Sequence, residues 1–253
     1  MFDLKISEFK NLPEGFAAEE HLFVFTDIHS CAKTLESLLK ALPNDAKPVF
    51  LGDAIDRGPD PIGTLEILMR LKKERQAIFC RGNHDALAWF SLIKSAEYFT
   101  KFVWKNNGGN ITSKIFRNCQ IEKSGSLKNA PKIFEDYWRA GQNYFISGNI
   151  LMLHAGTPKE IEQDFLNMEA YFAMIEENSP FWWRPERITT CFETPCCFED
   201  KPMFVISGHT PVPKECSIQK YGIMLDLGYQ NKRAVEIRGN RFRTIDIECD
   251  EIY

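Results

Sequence analysis

Acidic, amide and imidazole side chains follow the apolar runs of this sequence in an ordered series. Residues 52–58 come directly after the apolar run 49–51 and place Asp53, Asp56 and Arg57 within five positions. The other side chains of this kind are Asp27, His29, Asn83, His84, His154 and His209. Because such groups bind divalent metals through oxygen and nitrogen atoms, the pattern indicates a metal site built where strands end.

The number of candidate ligands suits a pair of metal ions. Two divalent metals that share one oxygen atom need about six protein ligands between them. The six candidates are Asp27, His29, Asp53, Asn83, His154 and His209. Mixed nitrogen and oxygen ligation favours Mn, Fe or Zn over Ca or Mg, so we expect two divalent ions per chain, Mn first, with Fe or Zn as alternatives. Of the five histidines, His21 precedes a strand and is interpreted as structural.

These side chains need elements that bring them together. Apolar runs that end in loop residues predict buried strands over residues 22–25, 49–51 and 77–80. Leucines with helical spacing between residues 35 and 42 predict a helix that Ser30 would cap and Pro43 would end. A second helix is predicted over about 61–74. Alternating strands and helices imply parallel strands with right-handed crossovers, so their carboxyl ends lie on one side.

We interpret residues 1–253 as a single α/β domain, with residues 1–20 as an arm or edge element. Many aromatic residues with helix-like spacing predict a helical insert over about 86–142, in which the aromatic side chains form core rather than a platform for a base or cofactor. Three further predictions concern the rest: a hairpin over 144–154 whose second strand ends in His154, an acidic helical segment over 158–178, and a β-meander over about 203–248.

Composition narrows the class of protein. The chain has 253 residues, 44% of them hydrophobic, which is enough for a sizeable core. The net charge is −4 and no basic stripe is visible, so we expect no nucleic-acid partner. No apolar stretch is long enough for a membrane helix and no secretion signal is recognisable. Eight scattered cysteines suit reduced thiols, and we expect a cytoplasmic protein without a membrane partner.

The ordered motifs resemble those of the calcineurin-like metallophosphoesterases. The similarity is strongest to the phosphoprotein phosphatase branch and its bacterial and phage members, which include symmetrical dinucleoside tetraphosphatases. The motifs are Asp27-Ile28-His29, residues 52–58, Arg81-Gly82-Asn83-His84-Asp85, Leu153-His154-Ala155-Gly156 and Ser207-Gly208-His209-Thr210-Pro211. The resemblance implies a four-layer αββα sandwich of two mixed β-sheets flanked by helices. Thr26 and Ser30 stand where family members usually have glycine, which bears on substrate choice.

The resemblance also implies a role for each residue. Asp27, His29 and Asp53 would hold one metal, and Asp53, Asn83, His154 and His209 the other, so that Asp53 bridges. A hydroxide between the metals would attack phosphorus in line. His84 would protonate the leaving oxygen, with Asp56 orienting it. Three arginines would bind the phosphate oxygens: Arg57, Arg81 and Arg184.

Alternatives stay open for several of these residues. Asp56 and Arg57 could pair with each other, and Arg81 could simply cap the end of the sheet. The match that includes Arg184 is loose. Asp226 is interpreted as structural. A zinc site at the three cysteines of residues 191–197 is disfavoured, since they lack the usual spacing.

Three functions are compatible with this pattern. The first is hydrolysis of phosphate monoesters, on a phosphorylated protein or a small phosphate ester. The second is hydrolysis of symmetrical dinucleoside tetraphosphates, a phosphoanhydride reaction at the same metals. The third is a non-catalytic scaffold, which predicts losses among the ligands, and none is lost. The absence of a basic groove favours a small or modestly charged substrate, such as a nucleotide or phosphate ester.

Overall fold

The computed structural model describes residues 3–93, 98–118, 131–168, 179–182, 184–185 and 192–251. The α-helices among these residues are α1 (Ala32–Leu38), α2 (Pro61–Arg75), α3 (Asn83–Ile93), α4 (Tyr98–Trp104), α5 (Asn110–Asn118), α6 (Lys132–Ala140) and α7 (Gln163–Asn167). The strands are β1 (Leu4–Ile6), β2 (Lys10–Asn11), β3 (Leu22–Phe25), β4 (Lys47–Phe50), β5 (Ile78–Phe79), β6 (Tyr144–Ser147), β7 (Ile150–Leu153), β8 (Glu160–Ile161), β9 (Cys196–Phe198), β10 (Lys201–Ser207), β11 (Ile218–Gln219), β12 (Gly222–Met224), β13 (Asn231–Arg238) and β14 (Arg241–Glu248).

The first sheet brings the early motifs to one edge. Its strand order is β1-β14-β13-β3-β4-β5, with β2 paired to β14. Strands β3, β4 and β5 are parallel, with Val24 opposite Val49 and Phe50 opposite Phe79. Helices α1 and α2 connect them, which confirms the predicted alternation of strands and helices. Their carboxyl ends therefore share an edge, and the loops that carry Asp27 and Asp53 begin there.

The second sheet brings His154 and His209 to one edge. Its order is β11-β12-β10-β7-β6, with β9 beside β10 and β8 beside β9. The hairpin of β6 and β7 is antiparallel, as predicted. Strands β7, β10 and β12 run parallel to one another. His154 follows β7 and His209 lies just beyond β10, so both histidines come to the same edge of this sheet.

Three apolar clusters separate four layers. Phe25 and Phe50 of the first sheet pack among the helices. Its other face, with Val24, packs against Met152 and Ile206 of the second sheet. The outer face of the second sheet packs with Phe165 of α7. Two mixed sheets between helices are the αββα arrangement, and this prediction is confirmed.

Helices also occupy the described part of the predicted insert. Trp89 of α3 stacks on Trp138 of α6, with ring centroids 5.2 Å apart and an interplanar angle of 17°. Trp104, Phe134 and Tyr137 are buried. These aromatic side chains form core, as expected. Among the described residues, we find no helix with the length and apolar content that a membrane crossing requires.

Some local predictions are wrong. Ser30 does not cap α1, because Cys31 precedes the helix without a side-chain cap bond, and Ser30 has a left-handed φ of 61°. The α-helix ends at Leu38, and a 3₁₀ turn, Leu39–Ala41, completes the segment. The acidic segment contains strand β8 before the short helix α7, and residues 169–178 lie outside the described residues.

The predicted β-meander over about 203–248 is not continuous. Strands β10 and β12 are parallel and belong to the second sheet. Strands β13 and β14 form an antiparallel hairpin in the first sheet, where β13 pairs with β3. Alternating apolar residues predict strands, but they do not identify the partner of each strand. The chain therefore crosses from one sheet to the other after Met224.

Candidate active site

The loops after β3 and β4 are held together by their backbones. Asp27 N donates to Gly52 O at 3.0 Å, and His29 N donates to Asp53 O at 2.9 Å. Ten described residues other than glycine have a positive φ, and seven of them lie in the site loops: Asp27, His29, Ser30, Asp53, Asp56, Arg57 and His209. Such backbone conformations cost about 1–3 kcal/mol each and persist only where the surroundings impose them. The strain is therefore concentrated at this edge of the two sheets.

His29 presents one ring nitrogen to two carboxylates. Its Nδ1 donates to Ile55 O at 3.1 Å, which leaves Nε2 with the lone pair. That Nε2 lies 3.8 Å from Asp27 Oδ1 and 3.6 Å from Asp53 Oδ2. Burial, together with the charge of Arg57, lowers the pKa of His29 well below its ordinary value. The imidazole is therefore neutral at neutral pH, the form that binds a metal.

A second group of ligand atoms converges on Asn83. His154 Nδ1 donates to Leu51 O at 2.7 Å, and its Nε2 lies 2.9 Å from Asn83 Oδ1. His209 Nδ1 also lies 2.9 Å from Asn83 Oδ1. Burial, then the charges of His154 and Arg184, lower the pKa of His209 well below its ordinary value. Two imidazole rings and an amide oxygen thus share one small volume.

Asp53 lies between the two groups. Its Oδ1 is 3.5 Å from His154 Nε2, whereas its Oδ2 is 3.6 Å from His29 Nε2. Burial raises the pKa of Asp53 well above its ordinary value, because a buried carboxylate without a cation is costly. A cation would offset that cost on each side.

The donor set fits two divalent metals. At the site, two buried groups have ligand atoms within 4.8 Å of one another, and Asp53 belongs to both: Asp27, Asp53 and His154, and His29, Asp53 and His84. His154 thus joins Asp27 and His84 joins His29, a division that differs from the two predicted ligand sets. Glycine is needed beside the carboxylates, because a Cβ atom at Gly82 would clash with Asp53 Oδ1 and one at Gly208 with Asp27 Oδ2. Nitrogen and oxygen donors in this mixture suit Mn, Fe or Zn.

His84 is oriented by a buried acid. Its Nδ1 lies 2.9 Å from Asp56 Oδ2, which also accepts a hydrogen bond of 2.9 Å from Trp104 Nε1. Asp56 N donates to Thr112 Oγ1 at 3.0 Å. Helices α4 and α5 of the insert thus fix Asp56, and Asp56 in turn orients the ring of His84 through Nδ1.

Asp85 is a site residue to which the sequence analysis assigned no role. Its carboxylate accepts hydrogen bonds of 2.9–3.1 Å from four donors: Asp53 N, Ala54 N, Gly82 N and Tyr137 Oη. Burial raises its pKa to about 6. The acid therefore ties the loop after β4 to the start of α3. In the sequence, Asp85 stands out only as the last residue of the motif 81–85, and its position in the first turn of α3 is seen in the structure.

The three predicted phosphate-binding arginines lie in different surroundings. Arg57 Nη1 is 2.7 Å from His29 Nε2. Arg184 is exposed, and its charge acts on the buried His209. Arg81 Nε instead donates to Trp138 O at 3.3 Å, and its guanidinium lies 4.8 Å from the centre of the Trp138 ring. The structure brings Arg57 into contact with the cluster and Arg184 close enough for its charge to act on His209, whereas the described contacts of Arg81 lie outside it.

Two other predictions concern residues outside the ligand set. Asp226 is buried, and its pKa is raised to about 6 by that burial and by the charge of Asp27. Its Oδ1 accepts a hydrogen bond of 2.8 Å from Gly228 N. Cys196 is buried in β9, whereas Cys191 lies outside the described residues.

Known proteins resemble this chain in sequence. The profile of the calcineurin-like phosphoesterase family matches residues 21–239. An asymmetrical bis(5'-nucleosyl)-tetraphosphatase of Oceanobacillus iheyensis is 29% identical over 151 residues, which is 54% of this chain and 57% of that protein. Serine/threonine-protein phosphatase 1 of Salmonella typhimurium is 34% identical over 93 residues, which is 36% of this chain and 39% of that protein. This chain therefore matches less than two thirds of either relative.

Solved structures resemble it in fold. A metallophosphoesterase from Sphaerobacter thermophilus superposes with a TM-score of 0.53 at 15% identity, covering 89% of this chain and 87% of that one. A structure described as a putative diadenosine tetraphosphatase gives a TM-score of 0.52 at 19% identity, covering 94% and 96%. At these identities the likeness concerns the fold alone.

Proposed function

The chain belongs to the calcineurin-like phosphoesterase family, and from that premise we propose that it hydrolyses phosphate monoesters at a site for two metal ions. The position of Asp53 carries this proposal. One of its carboxylate oxygens lies by His29 and the other by His154, so a single side chain can serve two cations.

The ligands divide into two sets that share Asp53. Asp27, His29 and Asp53 would hold one ion, and Asp53, Asn83, His154 and His209 the other. We propose Mn²⁺ as the metal. Two bound divalent ions would supply positive charge to the phosphoryl oxygens and activate a water molecule as the nucleophile. Arg57 Nη1 must leave His29 Nε2 for that nitrogen to act as a ligand.

The remaining side chains act on the substrate. His84 protonates the leaving-group oxygen through Nε2, because Asp56 holds its other ring nitrogen. Arg57 and Arg184 bind non-bridging phosphate oxygens, and their charge counts most as negative charge grows in the transition state. We retain Arg81 as a weaker candidate for this contact, because its described partners are Trp138 and Asn143.

A second candidate substrate is a dinucleoside tetraphosphate. The names of several relatives favour it, including a symmetrical bis(5'-nucleosyl)-tetraphosphatase of Ralstonia nicotianae that is 42% identical over 59 residues, which are 23% of this chain and 21% of that protein. The phosphoprotein phosphatase among the relatives favours the monoester instead. Both reactions use the same side chains, so only the leaving group and its binding surface differ.

Metal removal tests the proposal. Treatment with a chelator should abolish hydrolysis of an aryl phosphate, and Mn²⁺ should restore it. The restored enzyme is then compared on a phosphoserine peptide, the aryl phosphate and diadenosine tetraphosphate. Faster turnover of the tetraphosphate would select the second candidate, with two ADP indicating symmetrical cleavage and ATP plus AMP asymmetrical cleavage. Activity that survives complete chelation would refute the two-metal site.

A further inference from the structure

Two cysteines from opposite ends of the chain meet behind the site. Cys31 lies between the loop after β3 and helix α1, whereas Cys249 follows strand β14. Their sulfur atoms and a carboxylate oxygen of Glu251 lie within 4.8 Å of one another, and all three residues are buried. No role in phosphate hydrolysis accounts for this group.

The C-terminal segment is held against α1 by specific bonds. Glu251 Oε2 accepts hydrogen bonds of 2.6 Å from both Thr34 N and Thr34 Oγ1. Thr34 Oγ1 also lies 3.4 Å from Cys249 Sγ, and Cys249 N donates to Gln230 O at 2.8 Å. The position of Cys249 relative to Cys31 is therefore determined by the fold.

The pair is connected to a proposed metal ligand. Cys31 Sγ donates to His29 O at 3.4 Å. A Cβ atom at Gly58 would clash with His29 O and lie 3.2 Å from Cys31 Sγ. The thiol thus packs tightly between the loop of His29 and the loop that follows Arg57, so moving it displaces both.

We propose that Cys31 and Cys249 are a modification site, at which a hydroperoxide forms a reversible disulfide that lowers the activity of the neighbouring site. Cys249 is the attacking thiol. The neighbouring thiol of Cys31 and the hydroxyl of Thr34 lower the pKa of Cys249 to about 6, which favours its thiolate form. Cys249 is 6% exposed and Cys31 is fully buried, so Cys249 is the more accessible of the two residues.

The chemistry balances in two steps. The Cys249 thiolate attacks one peroxide oxygen, the O–O bond breaks, and the products are a sulfenic acid and hydroxide, which takes up a proton. The Cys31 sulfur then attacks the sulfenic sulfur, and the departing hydroxide leaves as water with the proton from Cys31. Counted from the two thiols, the protein loses two electrons and two protons, and hydrogen peroxide is reduced to two water molecules. A dithiol reverses the reaction by exchange.

A structural metal ion is the main competitor for these sulfur atoms. Two features of the structure disfavour it. The Glu251 carboxylate already accepts hydrogen bonds from Thr34, and the charge of the buried Lys232 acts on both thiols. A second cation placed among them would be repelled.

Peptide mapping under non-reducing conditions tests whether the disulfide forms. This test does not depend on the proposed function, whereas the expected effect on activity rests on it. The purified, metal-loaded protein is treated with H₂O₂ and then with dithiothreitol. We expect a linked peptide that contains Cys31 and Cys249, lighter by two hydrogen atoms and separated by the dithiol. Activity on an aryl phosphate should fall reversibly by roughly 10- to 10²-fold, since a displacement of about 1 Å at a positioning group can cost that much.

Matched variants show whether the disulfide causes the loss of activity. Cys249→Ser and Cys249→Ala should keep the activity of the reduced protein and resist the peroxide. Cys216→Ser, which removes a half-buried thiol elsewhere, should stay sensitive.

Three results would overturn the inference: no linked peptide, equal peroxide sensitivity in both Cys249 variants, or thiols protected by zinc and freed by a chelator. Absence of any activity in the reduced protein would instead count against the proposed function, and the peptide map would still report on the disulfide.

Discussion

Replacing His84 by Asn separates two roles that its surroundings allow. Its Nδ1 is occupied by Asp56 Oδ2 at 2.9 Å, which leaves Nε2 to protonate a leaving group. A ligand atom of the same side chain also lies within 4.8 Å of those of His29 and Asp53, as it would if it held a metal. We expect the first role, with metal binding independent of His84.

The expected magnitudes differ between substrates. A positioned general acid contributes about 10²- to 10⁴-fold, and His84→Asn should lower kcat by this factor for a phosphoserine peptide, whose alkoxide leaving group needs a proton. When the aryl phosphate is nitrophenyl phosphate, its leaving group departs as a stable anion that needs no proton. The kcat of the same variant should therefore fall by about tenfold or less on this substrate. Asp56→Asn weakens a charge-assisted hydrogen bond worth about 1.5–3 kcal/mol, which corresponds to about 10- to 10²-fold in rate.

The assay measures kcat on both substrates and metal content by elemental analysis, on the same preparations. His21→Asn is the matched control, because it removes a histidine that is bonded to Glu236 away from the cluster, and it should leave kcat unchanged. An equal loss on both substrates would contradict the role of acid. Loss of a metal ion from the His84 variant would show that this side chain is a ligand.

Two further substitutions test the geometry of the site and the stability of the fold. Gly82→Ala should reduce the metal content, because its Cβ would clash with Asp53; the control Gly239→Ala, with φ +60 and nothing near its Cβ, should cost about 1 kcal/mol and keep both ions. Retention of both metals by Gly82→Ala would refute the packing around Asp53. Asp246→Asn leaves the buried Arg233 without its bidentate carboxylate partner and should cost about 3–5 kcal/mol in thermal or denaturant unfolding. Burial alone would raise the pKa of Asp246, but hydrogen bonds from Arg233 and Lys214 outweigh it and hold the pKa below its ordinary value. The stabilisation is therefore present above about pH 4 and lost as the pH falls through the folded-state pKa; a variant with the acid sensitivity of the parent protein would contradict this.

Strand ends were the part of the fold that could be predicted from sequence. The apolar runs before Asp27 and Asp53 became β3 and β4, in parallel pairing as expected. A buried strand can be recognised in the sequence because nearly all of its side chains are apolar. The prediction that Ser30 caps helix α1 was wrong because residue type alone does not determine a cap. A cap depends on the backbone conformation, and the contact between the β3 and β4 loops imposes a positive φ on Ser30.

The choice of strand partner could not be predicted. The run at β12 and the hairpin of β13 and β14 have similar strand patterns, yet they belong to different sheets. Periodicity records which side chains share a face, whereas pairing depends on which edges are free when distant segments pack. The side-chain contacts of Arg81 with Trp138 and Asn143 could not be predicted for the same reason.

The sequence by itself determined which donor atoms the chain possesses and that they stand at the ends of strands, because residue type and strand periodicity are local properties. Only the tertiary structure decided that Asp53 directs one oxygen to His29 and the other to His154, that Asp85 ties two loops together, and that Cys31 meets Cys249. These contacts join segments far apart in the chain, and their geometry follows from the packing of two sheets against each other rather than from any spacing along the sequence.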